Sequence, residues 1–146
     1  MSIGDIEFMD VLSFGTIADH IKREINHKCS LNISQTRILL FFDHNQNQAL
    51  TMGKLADELH ISLSTLSRQL QQKKTRSLIE ITRSDKSSSK NVHLNEDGLT
   101  KVKELKQALI EIQQEIFSKI DKNKLRSFTD DLELLSKEYS NLSEMA

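Results

Sequence analysis

Apolar residues recur at helical spacing through residues 4–27, at Ile6, Met9, Val11 or Leu12, Phe14, Ile17, Ile21 and Ile25. That period predicts an amphipathic first helix, and His27–Ser30 interrupts it. Ser34 then stands in position to cap a short helix, SQTRILLFFDH, with Ile38, Leu39, Phe41 and Phe42 mostly inward. Polar Asn45–Ala49 predicts a loop. Thr51 takes an N-cap position ahead of MGKLADEL, whose inner face is Leu55, Ala56 and Leu59. After a short turn, His60-Ile61-Ser62, Ser62 caps a further helix, LSTLSRQLQQKK, with one narrow stripe of Leu63, Leu66 and Leu70. The rhythm then changes. Leu78–Arg83 and Lys90–Leu94 predict two strands around the turn-rich Ser84–Ser89, and so a hairpin. Asn95 caps a long helix from Glu96 to about Ile120, with Val102, Leu105, Leu109, Ile112 and Ile116 on one face. A last helix runs from about Lys122 to Leu142, carrying Leu125, Phe128, Leu132, Leu135 and Tyr139.

Composition supports long helices. Of 146 residues none is Pro and four are Gly, so the main helix breakers are scarce. The length suits one domain. Net charge is −1, which by itself says nothing about partners, but its distribution does. Residues 51–93 hold eight Lys or Arg and four acids, a net +4 that leaves −5 elsewhere. A basic module on an acidic scaffold is the electrostatic footprint of a nucleic-acid binder.

Other classes find little support. Cys29 is the only cysteine, which excludes an intrachain disulfide and a cysteine-based zinc cluster. The five His (His20, His27, His44, His60, His93) are scattered, no two of them spaced i, i+4 on one helix, so no metal site is expected. No Gly-rich phosphate loop, His-x-x-x-His pair or serine elbow is present, so neither an enzyme nor a cofactor is expected. The first residues carry Asp5, Glu7 and Asp10 and no long apolar run. Neither a signal peptide nor a membrane span is expected, and the expected location is cytoplasmic.

The pair of helices in LADELHISLSTLSRQL suits the reading of double-stranded DNA. A reading helix must dock on its own domain through a thin apolar stripe and offer its other face to the major groove. Leu63, Leu66 and Leu70 are the docking stripe, which leaves Ser64, Thr65, Ser67, Arg68, Gln69, Gln71 and Gln72 for the groove. Arg pairs bidentately with guanine and Gln with adenine, while Ser and Thr serve bases or phosphates. Ala56 is small where the two helices would cross.

Here the chain resembles the MarR family of bacterial winged-helix regulators, from about Ser34 to Gly98, with matching long helices on both sides. The resemblance rests on Leu55-Ala56-x-x-Leu59, Ser64-Thr65-Leu66-Ser67-Arg68, Leu78-Ile79-Glu80 and Leu94-Asn95-Glu96-Asp97-Gly98. It departs from the family at Lys73, usually Leu, and at Ser77, usually Gly. It departs again at the wing, where Asp85-Lys86-Ser87-Ser88 replaces an Arg-bearing tip and is about one residue short. Lys86 or Lys90 can replace the wing Arg only as a point charge.

The resemblance implies a mainly α fold: a winged helix-turn-helix with a two-stranded β-hairpin wing, its terminal helices forming a dimerisation domain. The chain is then one domain, 1–146, with a DNA-binding lobe at 34–95 and a helical dimerisation region at 1–30 and 96–146. The expected DNA contacts are Thr51, Ser62, Ser64, Thr65, Ser67, Arg68, Gln69 and Gln72 on the paired helices, and Arg83, Lys86 and Lys90 on the wing. A homodimer is expected for a physical reason too, because the terminal helices have broad apolar faces and little of their own domain to cover them. Most relatives are repressors that respond to a small, often aromatic, ligand. The junction near Phe14, His20, Phe41, Phe42 and Val102 is the candidate seat for such an effector, with core packing the alternative. Two further alternatives stay open. One is a protein-interaction module that keeps the fold without specific DNA reading. The other is a redox sensor at Cys29, beside the cations Lys28 and His27.

Overall fold

The computed structural model describes residues 8–83 and 90–145. In chain order its elements are α1 (Phe8–Cys29), α2 (Ile33–His44), β1 (Leu50–Thr51), α3 (Met52–Glu58), α4 (Leu63–Gln71), α5 (Lys73–Arg76), β2 (Ile79–Arg83), β3 (Lys90–Leu94), α6 (Glu96–Phe117) and α7 (Lys122–Met145). Residues 4–7, expected in the first helix, and the loop 84–89 lie outside the described residues.

α1 runs to Cys29, past the break expected at His27. It stops where Ser30 takes φ 56°, in the left-handed region that ends helices. The cap of α2 is Asn32, which corrects the expectation of Ser34. Asn32 Oδ1 accepts from the Gln35 amide and Gln35 Oε1 accepts from the Asn32 amide, each at 2.9 Å. This reciprocal box satisfies two amides that the helix start leaves without partners. Thr51, Ser62 and Asn95 cap α3, α4 and α6 as expected, accepting from the amides of Lys54, Thr65 and Gly98.

The sheet has three antiparallel strands, in the order β1-β3-β2, where a two-stranded hairpin was expected. β2 and β3 are that hairpin, in register Ile79↔Leu94 through Arg83↔Lys90, and β1 adds Leu50↔Val92 on the far edge of β3. Two residues are too few to show a strand period, so β1 read as loop and cap. Beside it Asn47, at φ 57°, clamps Leu94: Nδ2 donates to the carbonyl at 3.1 Å and Oδ1 accepts from the amide at 2.8 Å.

α4 ends at Gln71, not at Lys74. On a continuous helix the stripe of Leu66 and Leu70 would run on to Lys73 and Ser77 and bury a lysine. Gln72, at ψ 131°, breaks the helix instead. α5 then turns Thr75 inward, where its Oγ1 accepts from buried Gln35 Nε2 at 3.2 Å, while Lys73 stays exposed. Ser77 has φ −70°, so the glycine usual at this position is not required. Gly98 is different. A Cβ there would fall 2.2 Å from the Leu78 carbonyl oxygen, so only glycine lets the first turn of α6 approach the entry to β2 this closely.

One core joins the second half of α1 to the lobe. It holds Ile25 and Cys29, Leu31, Ile38, Leu39 and Phe42 of α2, Leu55 and Ala56, Leu66 and Leu70, and Ile79, Val92 and Leu94 of the sheet. Val102, Leu105, Ala108 and Ile112 of α6 complete it. α6 packs on both α1 and α2. It ends at Phe117 rather than near Ile120, and α7 follows from Lys122 to Met145. Over residues 122–139 no side chain is buried. α7 meets α6 through an edge-to-face pair, Phe117 on Phe128, with ring centres 6.2 Å apart.

Candidate nucleic-acid interface

α4 is held by two residues, Leu66 and Leu70, which both bury fully one helical turn apart. Ala56 of α3 is buried beside them, and its small side chain permits the close crossing. Leu63, expected in the docking stripe, is 54% exposed. It stands at the first position of α4, so the buried stripe is two residues long. The outer face carries Ser64, Arg68, Gln71 and Gln72 in full exposure, and Thr65, Ser67 and Gln69 in part.

The tip of α4 is ordered by short-range bonds. Ser62 Oγ accepts from the Thr65 amide at 3.1 Å and donates to Thr65 Oγ1 at 2.8 Å. Thr65 Oγ1 in turn accepts from Arg68 Nη2 at 3.4 Å. Thr65 thus steers the guanidinium along the helix, its remaining donors free to reach outward. Thr51 is exposed; it is both the last residue of β1, opposite Asn91, and the cap of α3.

A groove of about 340 Å³ separates α4 from the wing. Met52, Leu70 and Ile81 form its apolar part, Ser67 and Gln71 come from α4, and Arg76, Arg83 and Lys90 supply three cations. Arg83 and Lys90 are direct cross-strand partners and both are exposed. Like charges directly opposite in a sheet destabilise it, and an anion between or above them relieves that repulsion. Arg76 is fixed at the groove's other side by donation from Nη1 to the Ile79 carbonyl at 3.0 Å. It counted toward the basic balance of the sequence but was not among the expected contacts. Only the break at Gln72, invisible in the stripe pattern, brings it beside α4. Lys86 lies outside the described residues.

The structure divides the residues named for an effector. Phe42 and Val102 are core residues, and Phe41 packs against that core with its ring 5.5 Å from Phe42, edge to face. Phe14 is 57% exposed on α1. His20 is half-buried on the same helix, its Nε2 3.7 Å from Glu115 Oε2. The first three share one packed interior and the last two stand on a helix surface.

Cys29 is 1% exposed. Burial pushes its thiol above the ordinary 9.0, and the Glu104 carboxylate adds to the rise, against smaller lowering effects from Lys101 and Lys28. The expected activation by neighbouring cations is outweighed. A buried, protonated thiol is the inert kind. Among the described residues no helix is long and apolar enough to cross a membrane.

Residues 30–87 match the sequence model of the MarR family, a span covering α2 to β2. No curated protein sequence matches the chain. Solved structures do. A structure of MarR superposes with a TM-score of 0.75 at 16% identity, covering 100% of this chain and 99% of its own. A MarR transcriptional regulator from Methanosarcina mazei Go1 gives 0.75 at 19% identity, covering 93% and 99%. MepR of S. aureus, solved in complex with DNA, gives 0.70 at 20% identity, covering 91% and 99%. At these identities the likeness is one of fold, and it extends over both terminal helices. The segment from the second helix through the first wing strand is thus similar to MarR-family sequence, and the whole chain shares the winged-helix fold of these MarR and MepR structures.

Proposed function

We propose that the protein is a transcription regulator that binds double-stranded DNA as a homodimer. In this reading it is a repressor that occupies a pseudo-palindromic operator. The observation that carries it is the split face of α4. Two leucines hold the helix, and its outer face carries Arg68 and a run of hydroxyl and amide side chains beside a three-cation groove. Arg68 reads a guanine edge, and Leu63 is placed for a thymine methyl group. Arg76, Arg83 and Lys90 meet phosphates and fix the register, without reading sequence. That a similar fold, MepR of S. aureus, was solved on DNA supports the same use here.

The dimer rests on the scaffold. Val11, Leu12, Phe14 and Ile17 of α1 and Phe128, Leu132, Leu134 and Leu135 of α7 are exposed in the single chain. A twofold pairing of these faces sets two copies of α4 about 34–36 Å apart, one turn of DNA. A small aromatic effector acts in this scheme by binding one spacing of the two lobes better than another, since equal affinity for both shifts nothing. Phe14 and His20, on the surface of α1, are the candidates a ligand can reach.

The test is selection of bound sites from a random DNA pool, followed by gel shifts on selected and scrambled duplexes across a salt series. The selected site is expected to bind at least about a thousandfold tighter. It is also expected to be an inverted repeat with half-sites about 10 base pairs apart. Equal, salt-sensitive binding to both duplexes would remove sequence-specific regulation and leave the interaction-module alternative.

A further inference from the structure

We propose that His20, Glu24 and Glu115 form a binding site for a divalent first-row transition metal ion, with zinc(II) as its type, on the seam between α1 and α6. His20 and Glu24 are four residues apart on α1, so their side chains leave the same helical face. α6 packs along α1 and brings Glu115 against that face. One imidazole nitrogen and one oxygen from each carboxylate all lie within 4.8 Å of one another. A tetrahedral ion with bonds of about 2.0–2.2 Å holds its donors about 3.3 Å apart. Side-chain rotation alone closes that gap, because all three residues are at least partly open to solvent.

Charge makes the same point. Elsewhere on the seam, Lys28 Nζ pairs with Glu111 Oε2 at 3.4 Å, a cation from α1 against an anion from α6. At the proposed site two carboxylates share one imidazole, His20, whose Nε2 lies 3.7 Å from Glu115 Oε2. Glu24 is half-buried, faces a second carboxylate, and has no hydrogen bond or ion pair among the described residues. Two neighbouring carboxylates repel. With imidazole in the neutral form that binds metals, the three groups carry −2, the charge a divalent ion cancels. One nitrogen and two oxygens suit zinc and its neighbours better than magnesium or calcium, which take oxygen alone. Water completes the fourth position, as in other three-ligand zinc sites.

The sequence hid this cluster. Its histidines show no i, i+4 pair, the ligand that does share that spacing is a glutamate, and the third comes from a helix far along the chain. An ion held there ties the scaffold helix α1 to α6.

The experiment uses the full chain, freed of metal with a chelator and dialysed. Zinc chloride is titrated against a chromophoric competitor, cobalt(II) absorption is followed in parallel, and melting temperature is read with and without zinc. One equivalent per chain at micromolar affinity or better is expected, with a zinc-dependent rise in melting temperature. His20→Gln, Glu24→Gln and Glu115→Gln are each expected to weaken binding at least tenfold. Loss of an outer hydrogen bond alone costs about that much. The metal-free melting temperature should stay near that of the parent, because none of the three is buried. No saturable binding would overturn the proposal. So would one equivalent retained by both His20→Gln and Glu115→Gln, which places the ion on other histidines, or magnesium bound as tightly as zinc.

Discussion

Helices α4 and α7 each carry an apolar stripe at helical spacing, and the two stripes end in opposite surroundings. Leu66 and Leu70 of α4 are buried in the core, while Phe128, Leu132 and Leu135 of α7 are exposed. The contrast extends to whole regions. The lobe from Leu31 to Leu94 shares one closed core with the second half of α1 and with α6, and the first half of α1 and α7 leave apolar side chains open. Periodicity says which face of a helix is apolar. It does not say whether the cover comes from the same chain. In the lobe the cover comes from this chain, α6 included. Under the proposed function a second copy covers the scaffold, and that separation suits two lobes that move relative to a shared base.

The largest effects should separate the two regions. Phe42 is fully buried and central to the lobe, so Phe42→Ala is expected to cost about 3–5 kcal/mol in urea denaturation. A loss under about 1 kcal/mol would mean that the ring lines a space rather than fills a core. Leu135 is 46% exposed in the single chain. Leu135→Asp is expected to leave the lobe folded while removing, in the proposed dimer, about 0.7–1.4 kcal/mol of burial from each copy, since half of the side chain is already covered. Sedimentation should then show a dissociation constant raised at least tenfold. An unchanged dimer would move the interface off α7.

Legibility followed the same division. Thr51, Ser62 and Asn95 announced their helices because a cap is a local event, a side-chain oxygen meeting an amide three residues on. Asn32 was missed because Ser34 offers the same chemistry two residues later, and only the reciprocal bond with Gln35 decides between them. β1 was missed because its strand character lies in pairing with β3, not in its two residues. The split of α4 into a docked and an exposed side was legible through Leu66, Leu70 and Arg68. Its third cation was not, because Arg76 reaches the groove only after Gln72 breaks the helix. Leu63 follows the stripe in sequence and leaves it in space, exposed at the first position of α4.

Within the lobe, reading and positioning should separate in turn. Arg68→Ala is expected to weaken binding to the selected site by about 1–3 kcal/mol and relax preference at one base pair, with the melting temperature unchanged. Lys90→Ala should weaken all sequences alike and lower the slope of log affinity against log salt by about one unit. Removing Lys90 also relieves its cross-strand repulsion with Arg83, so the free protein should be no less stable. A change in sequence preference in Lys90→Ala, or an unchanged preference in Arg68→Ala, would reverse the two roles.

The smallest effect tests the boundary between the regions. Cys29 closes α1 and is covered by this chain's own α6, with Sγ 3.9 Å from the Glu104 carbonyl oxygen. Its protection should therefore report the core and not the dimer. A thiol reagent is expected to react slowly with the native protein and with Leu135→Asp alike, and quickly once either is unfolded. The pH dependence has a definite sign. The folded thiol holds its proton more tightly than the ordinary 9.0 allows, because of burial first and Glu104 second. The stabilisation is complete below about pH 9 and is lost as pH climbs through the folded value, where the unfolded chain has already released the proton. Cys29→Ala should flatten that part of the fall in melting temperature above pH 9.0 and leave DNA affinity unchanged. Rapid labelling of the dissociated chain, with the lobe still folded, would show that a second copy supplies part of the cover. The boundary between self-closed lobe and open scaffold would then lie further down α1, before Cys29.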